Sequence, residues 1–247
     1  MKYALQGLAL EPKVLTFDVY GTLIDWETGL NTALQKIFQI HGINKSESEA
    51  LQLYAFHEAN VSAGDYLPYR EVLTQTLEHI GQALGFKPRE SELVEFANSI
   101  GDWPAFSDSQ AALQALQKHF KLAVITNCDD EHFAISSRKL GIEFDYIITA
   151  ELARSYKPSL NNFLLALGSI GVPNQNILHI AESLFHDHVP AKALGLSTVW
   201  INRRHDKIGK GATLSAAALP DVEYPSMKAF AEAVLSQHSQ NNTSITQ

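Results

Sequence analysis

Short apolar runs alternate with amphipathic stretches along most of the chain, and the two kinds of stretch have different periods. Val14-Leu15-Thr16-Phe17 is a run that stops at Asp18 and is followed by Tyr20-Gly21-Thr22. That pattern predicts a buried strand running into a tight turn. Similar runs recur at Leu122 to Thr126, Tyr146 to Thr149, Ile177 to Ile180 and Ser197 to Ile201. Helical patterns lie between them, over Asp108 to Phe120, Asp130 to Leu140, Asn161 to Ile170 and His188 to Leu194. Gly141, Gly171 and Gly195 stand where a glycine would stop the last three helices. Strand alternating with helix predicts an α/β fold, a doubly wound parallel sheet with helices on both faces.

From about Glu27 to Ile100 this rhythm breaks. Only helical patterns occur there, at Leu30 to Ile40, Ser46 to Val61, Pro68 to Leu84 and Arg89 to Ile100. The expectation is an all-helical insertion, residues 26–101, set into a core of residues 1–25 and 102–235. It would pack over the sheet's carboxyl edge, where open parallel sheets bind ligands, and act as a lid or substrate-selecting cap. Gly101-Asp102-Trp103-Pro104 would be the return hinge, and Trp26 and Trp103 would pack at the two hinges. The polar stretch 236–247 is expected to be disordered.

Composition narrows the partners. Of 247 residues, 45% are hydrophobic and 19% charged, as in ordinary globular domains. No apolar run approaches the roughly 18 to 20 residues that cross a bilayer, and Met1 to Pro12 lacks the shape of a cleavable signal. The lone cysteine, Cys128, fits a reducing compartment, so a cytoplasmic location is expected. A net charge of −8 argues against nucleic acid and acidic membrane surfaces as partners, but not against a small anionic substrate. Arg203, Arg204, Lys207 and Lys210 form the densest basic group and read as a solvated loop.

Four segments fall at the carboxyl ends of predicted strands. In Asp18-Val19-Tyr20-Gly21-Thr22, a carboxylate at a strand end is fixed for attack, although an aspartate before a turn is commonly just a cap. Thr126-Asn127 offers a hydroxyl and an amide to an anion near the start of the helix from Asp130. Lys157, before Pro158, could keep a carboxylate ionised. Glu182-Ser183 with Asp187 offers two carboxylates that could share a hard cation or orient a lysine, with helix capping by Asp187 as the competing account. His186-Asp187-His188 suggests zinc, but adjacent histidines point different ways and no cysteine is near, so packing roles are favoured.

In their order and spacing these four segments resemble the motifs of the haloacid dehalogenase superfamily, over about Val14 to Arg204. The resemblance implies a Rossmann-like core with an inserted helical cap. Tyr20 in D-x-Y-G-T, Tyr156-Lys157-Pro158 and Trp200-Ile201-Asn202-Arg203 are similar to the type II L-2-haloacid dehalogenases. That branch implies an Asp18 nucleophile, an ester intermediate hydrolysed by water, and no cofactor. It further implies Lys157 and Asp187 in the catalytic machinery, Thr126 and Asn127 binding the substrate carboxylate or the halide, and Tyr20 lining the pocket. A homodimer is also common in that branch.

Two departures keep a second chemistry open. No arginine lies between Asp25 and Tyr69 to receive a halide from an early cap helix, and Arg70 is the first candidate. Glu182 stands where dehalogenases carry a small polar residue. Asp18, Glu182 and Asp187 match instead the spacing with which the superfamily's phosphatases hold Mg²⁺. A Mg-dependent phosphatase acting on a small phosphorylated metabolite is therefore the alternative. It lacks the acidic residue two positions after the nucleophile, where Tyr20 is a poor proton donor near neutral pH. A non-catalytic binding protein on the same scaffold is the third reading.

Overall fold

All four side chains of β1 (Val14–Phe17) are buried, because this strand lies at the centre of the sheet with helices on both faces. The computed structural model describes residues 12–207 and 211–244; the expectations for Met1 to Glu11 and for Lys210 fall outside them. After β1 come four helices, α1 (Trp26–Ile40), α2 (Glu47–Ser62), α3 (Tyr69–Leu84) and α4 (Glu90–Asn98), then a tight turn, Ser99–Asp102. The alternating part follows with α5 (Ser109–Leu116), β2 (Lys121–Thr126), α6 (Asp130–Leu140), β3 (Tyr146–Thr149) and the short α7 (Ala150–Ala153). It continues through α8 (Leu160–Ile170), β4 (Ile177–Ala181), α9 (Val189–Ala193), β5 (Ser197–Ile201), β6 (Val222–Tyr224) and α10 (Met227–Ser244).

The six strands are parallel, in the order β3-β2-β1-β4-β5-β6. The order reverses at β1, whose neighbours are β2 on one side and β4 on the other. A crevice opens at such a switch point beyond the strands' carboxyl ends. Alternate residues serve the two faces: Val14, Ala123, Ile125 and Ile177 pack with Phe163, Ala166 and Ile170 of α8, while Leu15, Phe17, Val124 and Ile180 join the larger core. Strands covered on both sides carry the near-continuous apolar runs seen in the sequence.

In the insertion, the buried positions return every three or four residues: Leu30, Leu34, Ile37 and Phe38 on α1, and Val72, Leu73, Leu77 and Ile80 on α3. These interlock into one core that continues through Trp26 and Trp103. A Cβ at Gly29 would fall 2.1 Å from the Trp103 ring, so only glycine lets this tryptophan lie flat on α1. The chain enters and leaves the insertion side by side: Asp25 N donates to Pro104 O at 2.7 Å, and Ile24 bridges antiparallel to Ala105. Two core groups hold the insertion in place. Asp129 accepts from the Tyr69 amide at 2.9 Å, capping the start of α3, and Tyr156 Oη donates to Leu67 O at 2.8 Å.

Three expectations are corrected. The stretch from Ser236 is helical as far as Ser244, because Met227, Phe230, Ala231 and Val234 anchor α10 and propagation along an anchored helix is easy. The segment predicted as one helix from His188 begins earlier, as a wide turn over Leu184–His188 that leads into α9. Arg203 and Arg204 are not a solvated loop. Arg203 forks onto Asp108 at 2.9 and 3.0 Å and onto Thr22 O at 2.8 and 3.1 Å, while Arg204 pairs with Glu27. Among the described residues no helix is long and apolar enough to cross a membrane.

Candidate active site

Asp18 is the first residue after β1, and the turn that follows bends back through Gly21, whose φ of 97° favours glycine. The turn places Thr22 behind the carboxylate. Thr22 Oγ1 donates to Asp18 Oδ2 at 2.6 Å and accepts from the Glu182 amide at 2.8 Å, tying the end of β1 to the end of β4. On the other side, Lys157 Nζ donates to Asp18 Oδ1 at 2.8 Å, to Asp187 Oδ1 at 2.7 Å and to Ile125 O at 2.8 Å. An ammonium has three hydrogens, and all three are committed.

Behind Asp187 stands a group the sequence reading missed. His179, on β4 and fully buried, brings Nε2 to 3.1 Å from Asp187 Oδ1 and Nδ1 to 2.9 Å from Thr16 Oγ1. A histidine inside an apolar strand run gave the only hint of this. The chain Thr16, His179, Asp187, Lys157, Asp18 thus crosses the carboxyl edge of β1 and β4.

Burial raises the Asp18 carboxyl above the ordinary range, against the lowering pull of Lys157 and Thr22. Burial opposes the charge on Lys157, but Asp18 and Asp187 outweigh it and raise the ammonium's pKa. Asp187 is held well below the usual range, because Lys157 and His179 more than offset its burial. Burial pushes Glu182 up to about 8, helped by the negative charges of Glu27 and Asp18. The Tyr20 phenol is pushed well above its normal value by burial.

Asp18, Tyr20, Asn127, Lys157, Ser183 and Asp187 line a cavity whose roof is Trp26, Glu58 and Tyr69 of the helical insertion. The cavity holds about 30 Å³, the scale of a water molecule or two. A wider vestibule bordered by Tyr66, Arg154 and Tyr156 meets it at Lys157 and His186.

Not every residue named from sequence reaches this cavity. Thr126 is fully buried with its hydroxyl 3.6 Å from Cys128 Sγ, and it does not line the cavity. Asn127 borders it, but its amide clasps the Lys157 backbone, accepting from N at 2.8 Å and donating to O at 3.1 Å. Arg70 is exposed and turned toward Asn98, because the face of α3 that meets the core is taken by Tyr69, Val72 and Leu73. Tyr20 does line the cavity, but its hydroxyl is engaged by Ser136 at 2.9 Å and its ring stands edge-on to Trp103.

Asp18, Glu182 and Asp187 could offer Mg²⁺ only the oxygens that Lys157 leaves, among them Asp187 Oδ2, which is buried without a partner among the described residues. The ammonium of Lys157 takes one oxygen of each aspartate, and His179 shares the Asp187 oxygen. Among the described residues no three acidic, histidine or cysteine side chains converge as ligands.

Comparison with known proteins places this geometry. A family model described as haloacid dehalogenase-like hydrolase matches residues 12–195. Haloacetate dehalogenase H-2 of Moraxella sp. (strain B) is 25% identical over 224 residues, covering 88% of this chain and 96% of that protein. Phosphoglycolate phosphatase 1 of Pseudomonas aeruginosa is 25% identical over 192 residues, covering 75% and 67% respectively. Among solved structures, L-2-haloacid dehalogenase from Xanthobacter autotrophicus with chloropropionic acid covalently bound superposes with a TM-score of 0.76. It is 22% identical, over 91% of this chain and 99% of that one, a likeness that speaks to the α/β core and cap. With the match extending from the strand of Asp18 past the carboxylates after β4, this chain belongs to the haloacid dehalogenase-like hydrolases.

Proposed function

We propose that the protein hydrolyses the carbon–halogen bond of a small L-2-haloacid, with Asp18 as nucleophile. The observation that carries this reading is the enclosed triad in which Lys157 Nζ joins Asp18 and Asp187 at 2.8 and 2.7 Å. An ammonium at that range favours the Asp18 carboxylate, the form that attacks, against the burial that raises its pKa. The similarity to a haloacetate dehalogenase over most of both chains supports the same class.

In the first step an Asp18 oxygen bonds to C2 of the acid while the carbon–halogen bond breaks and the halide leaves with the electron pair. The product is an ester on Asp18. In the second step water adds to the carbonyl carbon of that ester and the bond from the carbonyl to the ester oxygen breaks. The 2-hydroxy acid leaves with one proton of the water on its hydroxyl, the other proton passes to solvent, and the Asp18 carboxylate returns. Lys157 would hold the carboxylate in the first step and polarise the ester in the second, with Asp187 and His179 fixing the lysine. The helical insertion would be the cap that excludes bulk water.

Tyr20 also bears on the choice. A phosphatase must protonate its leaving alkoxide, and burial makes this phenol a weaker acid still. The phosphatase alternative draws its support from Glu182 beside the turn of Gly21 and from the phosphatase relative. Halide release from L-2-chloropropionate and phosphate release from a generic phosphoester, each with EDTA and with Mg²⁺, separate the two. Halide release unaffected by EDTA is expected. Mg²⁺-dependent phosphate release without halide would overturn the proposal.

A further inference from the structure

Glu58 lies on the inward face of α2, one turn beyond Tyr54 and Ala55, where the helical pattern calls for an apolar side chain. It is 5% exposed, forms part of the cavity wall, and its carboxyl has no hydrogen-bond partner among the described residues. The carboxyl opens onto the cavity and is free to pair with what enters it.

The rest of the cavity shows which partner is missing. Lys157 has no hydrogen left to donate, the Asn127 amide is spent on the lysine backbone, and no arginine lines the wall. An anionic substrate entering here meets two aspartates, and from the roof it is faced by the Glu58 carboxyl and the Trp26 indole. We propose that Glu58 is the cap's recognition group for the anionic end of the substrate, which it meets as a carboxylic acid through its O–H. This rests on the dehalogenase reading and assigns that reaction a specificity residue.

Burial pushes Glu58 up to about 7 before any anion is present, and a bound anion raises it further, so substrate and proton bind together. The groups facing it are Tyr54 on its own helix, Tyr69 on α3, Tyr156 after β3, and Asp18, Lys157, His186 and Asp187 across the cavity. The tyrosines and Lys157 titrate high, His186 and Asp187 low, and Asp18 is tied to Lys157.

The test is halide release from L-2-chloropropionate between pH 5.5 and 9 by the wild type, E58Q and E58L. Calorimetry of lactate binding, in buffers of different ionisation enthalpy, accompanies it. KM of the wild type should climb about tenfold per pH unit once Glu58 ionises. E58Q, which keeps a donor, should hold a low KM that is flat with pH, and E58L should raise KM about tenfold throughout. Above pH 7 lactate should bring about one proton into the wild type and none into E58Q. A collapse of kcat in E58Q at unchanged KM would make Glu58 a general base and overturn the assignment. So would proton uptake that persists in E58Q, or its absence from the wild type. A wild type that releases no halide at any pH would instead overturn the reaction, and the proton count with lactate would still decide Glu58.

Discussion

Lys157 and Asp18 meet at 2.8 Å with their side chains 1% and 7% exposed, a charge pair shut away from water at the mouth of β1. Removing one partner of such a pair strands the other, at a cost of about 3 to 5 kcal/mol. Lys157→Ala should therefore lower the denaturation midpoint. It should also raise the Asp18 pKa further, so the acid limb of the pH–rate profile moves to higher pH. An acid limb that stays in place, at near-native rate, would show that the lysine does not tune Asp18.

Thr22 holds Asp18 Oδ2 from behind and accepts from the Glu182 amide. Thr22→Val leaves a buried acceptor and a buried N–H unpaired, each worth about 1 to 3 kcal/mol. Turnover and the denaturation midpoint should both fall, and Thr22→Ser should restore most of each. If the valine variant keeps full kcat, the threonine is not positioning the carboxylate.

Arg70→Ala tests whether an arginine receives the halide here. Arg70 is exposed and pairs with Asn98 on the outer side of the insertion. Its loss should leave kcat and KM for L-2-chloropropionate within about twofold, as for most surface changes. A tenfold loss would mean that the cap closes by a path that brings Arg70 inward.

Glu182 gives a stability prediction with a definite sign. Its folded pKa, about 8, stands above the ordinary 4.5, so the folded state keeps a proton that the unfolded chain gives up. The wild type thus loses stability as pH rises from about 4.5 to about 8, and Glu182→Gln does not. Chemical denaturation at pH 5 and pH 8 should show the variant gaining on the wild type at the higher pH. A difference that does not grow would mean that Glu182 is ionised, and a cation would be the first thing to seek beside it. Glu182→Ala should change EDTA-resistant halide release only modestly.

The central strands β1, β2 and β4 were legible because they are buried on both faces along nearly their whole length. The boundaries of β1, β3 and β5 follow from the apolar runs alone. Asp18 could be named because it directly follows β1, and Lys157 and Asp187 because they lie in the loops after β3 and β4, at the same edge of the parallel sheet. Residues acting through long-range packing were harder to see. β6 has only three residues, too few for a period, and it forms because Val199, Trp200 and Ile201 offer an unpaired edge. Thr126 and Arg70 were placed by sequence neighbourhood, but side-chain direction depends on which face of the element meets the core. Glu58 gave no signal at all, since a glutamate in a helix reads as solvent-facing until the helix is docked.

The strand that carries Asp18 is the centre of the sheet and also the first of the described strands to be synthesised. Its neighbours begin at Lys121 and Ile177, with all four cap helices lying in between. On a ribosome, β1 therefore stays without a partner while the whole cap emerges, and pairing it must close a loop over that distance. Its three apolar residues are exposed to wrong partners throughout that interval. Early docking of the helices through Trp26 and Trp103, next to the strand's end, would shield them. The element that roofs the cavity in the finished protein would then serve, during synthesis, as a chaperone for the strand that leads into Asp18.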